Sequence, residues 1–385
     1  MKKFLPGLLA FLVAAATYTF LAPTPTADNP NQPVAVAPAD PDARPKIQVA
    51  LLLDTSGSMD GLIDQARSQL WRIINHLGEA RHNGQPPIIE VALYEYGNAS
   101  LAPSSGYVRQ VSGLTTDLDG LSEKLFSLTT NGGDEYCGQV ISSALGEIDW
   151  SPNQNDLRMI FIAGNEPFDQ GPTDFQKVCS LARQKNIRVN TIYCGADNSP
   201  ESGLWRRGAE LGNGEFAWID HNAVVAQIAA PQDDRIVVLG NKLNETYIPY
   251  GQEGTALYQR QAAQDASSAK VNSSVSRSLT KGSGYYQNEK WDLVDAYDKD
   301  EAVLEAVDAG DLPAPMQAMD TKERREYVKK NKELRSQYQA EMAKLKTERD
   351  AYLRDHQTEE QNTLDAAMVK SVSDQAKSQG YTFTK

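Results

Sequence analysis

From residue 46 to about residue 230, short and nearly continuous apolar runs alternate with stretches whose apolar positions recur every three or four residues. The runs are IQVALLLD (47–54), IIEVALYEYG (88–97), YVRQVS (107–112), LRMIFIAG (157–164), IRVNTIYCG (187–195) and EFAWID (215–220). Runs that are apolar throughout predict strands covered on both faces. Between them, Leu62, Ile63, Ala66, Leu70, Ile73, Ile74 and Leu77 form one helical stripe. Leu118, Leu121, Leu125 and Leu128 form a second, and Phe175, Val178, Cys179 and Ala182 a third. Strand–helix alternation predicts an α/β domain with a doubly wound, mostly parallel sheet. Ligands of such sheets bind outside the carboxyl ends of the strands, and Asp54 falls at that end of the first run.

The pattern changes after residue 230. Ile236, Leu239, Leu243 and Ile248 predict a helix that extends the fold, followed by a polar, Ser-rich segment, so 231–320 reads as a helical and loop extension. Residues 321–385 begin with a long charged helix over 321–357, in which Glu326/Lys330 and Asp350/Arg354 are favourable pairs four residues apart. Tyr327, Leu334, Tyr338, Leu345 and Tyr352 make a seam spaced like a coiled coil, but Asn331, Glu341 and Glu348 interrupt it. The helix is expected to lie solvated with one stripe docked on the body; self-association through 321–357 is the alternative. Leu364, Met368 and Val372 give a terminal helix a stripe that could close an antiparallel helical hairpin.

Composition adds the compartment. Lys2 and Lys3 precede an uncharged apolar run from Phe4 to Ala22, which continues past a small-residue cleavage pattern at Ala14-Ala15-Ala16. Residues 1–22 therefore read as a signal peptide or a membrane anchor, and an exported, periplasmic or extracellular location follows. Residues 23–45 hold seven prolines and read as a semi-rigid linker. The chain has 385 residues and a net charge of −13. Residues 321–360 carry 11 Lys/Arg and 9 Asp/Glu, so the remainder is at −15. Nucleic acid is thus excluded as a general partner, and a membrane enters only through the N-terminal segment. Cys137, Cys179 and Cys194 are too few for a disulfide scaffold, and the scattered His76, His82, His221 and His356 give no zinc spacing.

The candidate chemistry sits in DTSGSM, directly after the first strand. Asp54, Ser56 and Ser58 alternate through a tight turn, so one carboxylate and two hydroxyls can converge. Such hard oxygen donors suit Mg²⁺, Mn²⁺ or Ca²⁺. With the preceding strand, Asp54-Thr55-Ser56-Gly57-Ser58 resembles the first loop of the von Willebrand factor type A domain and its metal-ion-dependent adhesion site. The resemblance covers residues 46–230. It implies a Rossmann-like fold, a divalent ion held by Asp54, Ser56 and Ser58, and a protein partner whose acidic side chain completes the ion's coordination.

Two departures from the family pattern stand out. A threonine usually follows paired glycines in the second loop; here LTTNGGDEYCG has Asp134 after Gly132-Gly133. Asp134 reads either as a replacement ligand or as the N-cap of the next helix. The third motif usually ends its strand on an aspartate, and here Gly164 stands there, followed by Asn165 and Glu166. Thr130, Glu135 and Glu166 are further candidate donors in these loops. With the third-loop acid lost and Asp134 gained, two carboxylates remain to neutralise an ion, so a modified site is expected. The wording AGNEPF is similar to a bacterial subset of the family. The implied fold puts Cys137 and Cys194 near the metal face, so either they form a bridge or all three cysteines are small buried residues.

An enzyme is not expected. A phosphotransferase nucleophile at Asp54 would want a second acid two residues on, where Ser56 stands, and there is no GK[ST] loop or GxSxG elbow. The expected function is a metal-assisted protein-binding module. The alternative is an envelope scaffold acting through its C-terminal helices.

Overall fold

The first strand, β1 (Lys46–Asp54), runs through the centre of a sheet and alternates its side chains between two apolar layers. Ile47, Val49, Leu51 and Leu53 point into one and Ala50 and Leu52 into the other. The computed structural model describes residues 44–223, 228–356 and 363–383. The proposed signal or anchor segment and nearly all of the linker lie outside these residues.

Beside β1 lie β3 (Ile88–Tyr96) and β5 (Leu157–Gly164), both parallel to it. Next to β5 come β6 (Arg188–Tyr193) and β7 (Asn213–Trp218), also parallel, while β4 (Val108–Thr115) pairs antiparallel on the far edge. The order is β4-β3-β1-β5-β6-β7. A two-stranded ribbon, β2 (Ala80–His82) with β8 (Tyr381–Phe383), is separate. One face is covered by α3 (Cys137–Glu147), α4 (Phe175–Gln184) and α5 (Ser202–Leu211). The other face receives α1 (Asp60–Gly78) and α2 (Leu118–Ser127), whose predicted apolar stripes are buried. The α/β class, the parallel sheet and the helical C-terminal region agree with the sequence pattern.

The helical region packs in a way that chain order does not suggest. It comprises α6 (Asp233–Asn244), α7 (Gly254–Lys270), α8 (Ser274–Lys281), α9 (Leu293–Lys299), α10 (Val303–Ala306), α11 (Ala314–Gln317) and α12 (Thr321–His356). These helices pack on α1 and α2 and build two small cores of their own. The last helix, α13 (Leu364–Ser378), then returns to the sheet. Its Leu364, Met368, Val372 and Ala376 enter the same apolar layer as α1. Gln65 and Gln69 of α1 accept hydrogen bonds from the backbone N–H groups of Leu364 and Asp365. The terminal stripe thus closes the sheet's core rather than a hairpin with α12. Residues 228–356 are spatially an insert between β7 and α13.

The seam expected for a coiled coil docks on the body only in part: its Tyr338 and Leu345 pack against Ile236, Leu239, Leu243 and Met342. Tyr327 is exposed, whereas Val328, Asn331, Arg335 and Met342 are the buried positions of α12. Arg335 sits among Tyr247, Thr246, Asp292 and Asp295, so a residue that reads as surface charge is the helix's anchor. No helix among the described residues is long and apolar enough to cross a membrane.

Candidate metal centre

Asp54 ends β1 level with Tyr96 of β3, and Gly164 ends β5 one position beyond Ala163, the partner of Leu53. The register therefore brings Asp54, Tyr96 and Gly164 to one edge of the sheet. The turn after Asp54 is fixed by backbone bonds: the Thr55 N–H donates to Tyr96 O at 2.9 Å, and the Met59 N–H to Ser56 O at 3.1 Å. The Asn131 N–H donates to Thr55 O at 3.0 Å, which ties the second loop to the first. Within the turn, the Ser56 N–H donates to Asp54 Oδ1 at 2.7 Å. The Ser56 and Ser58 hydroxyls lie 3.4 Å apart, and Asn165 Nδ2 donates to Ser58 Oγ at 3.2 Å. Asp54, Ser56 and Ser58 are thus brought together, as the alternating spacing predicts.

Asp54 is fully buried, and its second oxygen, Oδ2, has no hydrogen-bond partner among the described residues. Burial pushes its carboxyl up to about 7, against the lowering hydrogen bonds from Ser56 and a smaller lowering by the Asn165 backbone; Glu166 adds repulsion. The second buried acid is Glu135, 8% exposed. Burial first, then the Asp54 and Glu166 charges, push it up to about 7 as well, while the Ser56 hydroxyl opposes them. Glu166 is half-buried at the rim, and Gln170 Nε2 donates to its Oε2 at 3.2 Å. Gln170 Oε1 in turn accepts the Glu135 N–H at 3.4 Å. Among the described residues no three His, Cys, Asp or Glu side chains close on a single point. The donor set is therefore two carboxylates with serine hydroxyls between them. Like charges left unpaired in a buried place are costly, and a hard divalent cation fits the orphaned oxygen and the hydroxyls around it.

Two glycines make the room. Gly97 has φ +78°, and a Cβ there would stand 2.7 Å from Glu135 Cγ and 2.9 Å from Asp54 Oδ1. A Cβ on Gly164 would run into the Tyr96 hydroxyl and come within 2.9 Å of Asp54 Oδ2. The Tyr96 hydroxyl is itself held there, donating to Ala163 O at 3.0 Å. No aspartate fits at 164 while Tyr96 occupies that corner.

The sequence of residues 48–204 matches the von Willebrand factor type A domain family. Residues 48–204 form a von Willebrand factor type A domain. Among solved structures, the chain is similar to proximal thread matrix protein 1 of the mussel byssus, in a form with a zinc-occupied MIDAS motif. They are 12% identical, with 46% of this chain and 42% of that chain covered and a TM-score of 0.35. The SpRpn10 VWA domain is 15% identical over 47% of this chain and 100% of its own, with a TM-score of 0.35. A von Willebrand factor type A protein from Catenulispora acidiphila is 18% identical over 46% of this chain and 39% of its own, with a TM-score of 0.34. The chain thus spans about two fifths of the byssus and Catenulispora proteins. No curated protein matches it.

Within this domain, several residues singled out from sequence stand elsewhere. Asp134 is exposed and accepts a hydrogen bond from Tyr136 Oη at 3.2 Å. It is not an N-cap either, since α3 starts at Cys137 with Tyr136 before it and no side-chain cap. Asp134 and Glu135 are adjacent in an irregular segment, so their side chains diverge, and it is Glu135 that turns inward. Thr130 Oγ1 donates to Asp60 at the start of α1 and so fastens the second loop. Of the two readings left open for the cysteines, the structure has the second: all three are buried free thiols, and no Cys137–Cys194 bridge is formed. Cys137 belongs to the apolar layer under α3 and Cys194 to the layer under α1, with the sheet between them. The Cys137 thiol faces the Tyr96 hydroxyl at 3.8 Å. Tyr96 is the residue that sequence reasoning missed; its signal was its place at the end of an apolar run next to Asp54.

Proposed function

We propose that this chain is a non-enzymatic protein-binding module that holds a divalent cation, Mg²⁺ or a related hard ion, at the carboxyl end of its sheet. Asp54, Ser56, Ser58 and Glu135 hold the ion in this reading, and Glu166 stands by at the rim. The observation that carries it is the buried Asp54 carboxylate, whose Oδ2 has no partner and whose neighbours are hydroxyls and a second buried acid. A bound cation supplies the positive charge that this pair lacks. The von Willebrand factor type A domain at 48–204 supports interaction over catalysis. The apolar segment at residues 4–22 supports an exported location.

The test is calorimetric titration of Mg²⁺ and Mn²⁺ into the full chain beside its Asp54→Ala variant. Saturable binding that disappears in the variant is the expected result. Absence of binding in the unaltered protein would rule out the ion and leave the domain as a scaffold.

A further inference from the structure

The loops at the carboxyl edge of the sheet share a composition that the ion site alone does not require. Residues 55–59, 97–107, 128–136, 165–174, 194–201 and 219–223 hold eight carboxylates and not one lysine or arginine, in a chain with 38 basic residues among 385. Two of the eight are paired from neighbouring helices, Asp197 by Arg206 and Asp174 by Lys177. The other six, Asp134, Glu135, Glu166, Asp169, Glu201 and Asp220, have no ion-pair partner among the described residues. These loops form one face. Gln65 of α1, the helix that follows the DTSGSM turn, donates to Asp220 O at 2.8 Å, and Gln170 links Glu135 to Glu166.

An acidic cluster can be no more than a solvated edge, but this one surrounds a buried carboxylate oxygen that has no hydrogen-bond partner among the described residues. Asp54 Oδ2 is fully buried and unpartnered at the floor of the same face. Charge arithmetic then decides what can approach. A divalent ion held by Asp54 and Glu135 is already neutralised, and Glu166, Asp134, Asp169 and Asp220 remain around it. An acidic side chain entering from a partner would meet like charge on every side, whereas a cationic one would be drawn in.

We propose that the partner segment taken by this face is basic, presenting lysine or arginine side chains, in place of the acidic side chain that the family resemblance implies. This rests on the reading that the carboxyl edge of the sheet is the surface that meets the partner. Exposed Asp134, Asp169 and Asp220 form the outer ring that steers the segment, and Glu166 is the remaining acid at the rim of the ion site.

The test measures binding of fluorescent oligolysine and oligoglutamate peptides to the full chain in Mg²⁺, by anisotropy. Two triple variants are compared: Asp134→Asn, Asp169→Asn, Asp220→Asn at the site, and Glu301→Gln, Asp308→Asn, Glu333→Gln as an equal change of net charge on the insert. Oligolysine is expected to bind, with about tenfold weaker affinity in the first variant and less than about twofold in the second. Equal losses in both variants would make the attraction a bulk-charge effect and overturn the proposal. Preferential binding of oligoglutamate would overturn it in favour of the family mode. Mg²⁺ calorimetry on the same samples separates the two readings. Mg²⁺ uptake without oligolysine preference sinks only the basic partner, and oligolysine preference without Mg²⁺ uptake sinks only the ion.

Discussion

In the helical insert, Arg335 is 5% exposed and meets Asp292 and Asp295 at 2.6 Å each, with Thr246 taking its remaining hydrogen bonds and Tyr247 lying under the guanidinium. Arg277, 1% exposed, sits likewise between Asp119 of α2 and Asp265 of α7, stacked on Trp71. Burial alone would push the Asp265 carboxyl up, yet Lys281 and Arg277 hold it below the usual carboxylate range. At the carboxyl edge of the sheet the opposite holds. Asp54 and Glu135 are buried beside one another and near Glu166 with no lysine or arginine paired to them among the described residues, and both carboxyls are pushed up to about 7. Where this molecule buries charge within the insert and at its junction with the α/β domain, each of these acids has a cation. Where it buries charge at the end of β1, the cation has to come from outside.

The contrast can be broken most forcefully at the paired end. Arg277→Ala leaves Asp119 and Asp265 buried without their shared partner and is expected to cost about 3–5 kcal/mol in urea denaturation. A loss below about 1 kcal/mol would mean that the network is ornamental. Gly164→Asp tests the unpaired end. It restores the acid usual in the family but forces a Cβ against the Tyr96 hydroxyl, so it should cost about 1–3 kcal/mol from overpacking alone. The added charge beside Asp54 deepens the loss, and Tyr96→Phe in the same chain should recover part of it.

The pH dependence of the cation-free protein sharpens the point. Asp54 binds its proton more tightly in the folded than in the unfolded chain, with the carboxyl at about 7 against 3.8. The penalty for carrying its charge is then fully present above pH 7 and is relieved as the pH falls through 7 towards 4. Stability should rise by on the order of 1–3 kcal/mol on acidification from pH 8 to pH 5, and Asp54→Asn should flatten that rise. A thermal-shift series in chelator reads it directly. The smallest effect belongs to the surface. Lys332 of α12 pairs with Asp298 of α9, both well exposed, and Lys332→Ala should change stability by less than about 0.5 kcal/mol.

Much of the α/β domain was legible in the chain because its strands are continuous apolar runs and its helices carry clean stripes. Asp54, Ser56 and Ser58 were legible for a local reason: alternation in a tight turn fixes where they point. Asp134 and Glu135 were not separable, since two adjacent acids in an irregular segment diverge and only packing decides which one is buried. Arg335 was hidden because a lone arginine in a helix rich in Lys and Glu carries no sign of burial; its acids lie about 40 residues upstream. The place of α13 was equally closed to pattern reading. Its stripe was visible, but its partner, α1, lies almost 300 residues earlier. Gly164 showed that the third motif had changed, and the Tyr96 hydroxyl together with the Asp54 side chain explains why no side chain fits there.

The most direct measurement is Mg²⁺ calorimetry at pH 7 in two buffers of different ionisation enthalpy. If buried, partly protonated carboxylates receive the ion, binding must release protons, and the observed heat must differ between the buffers. The account predicts that release for the unaltered protein and its loss in Asp54→Asn. Mg²⁺ binding with the same heat in both buffers, or binding untouched by Asp54→Asn, would contradict it.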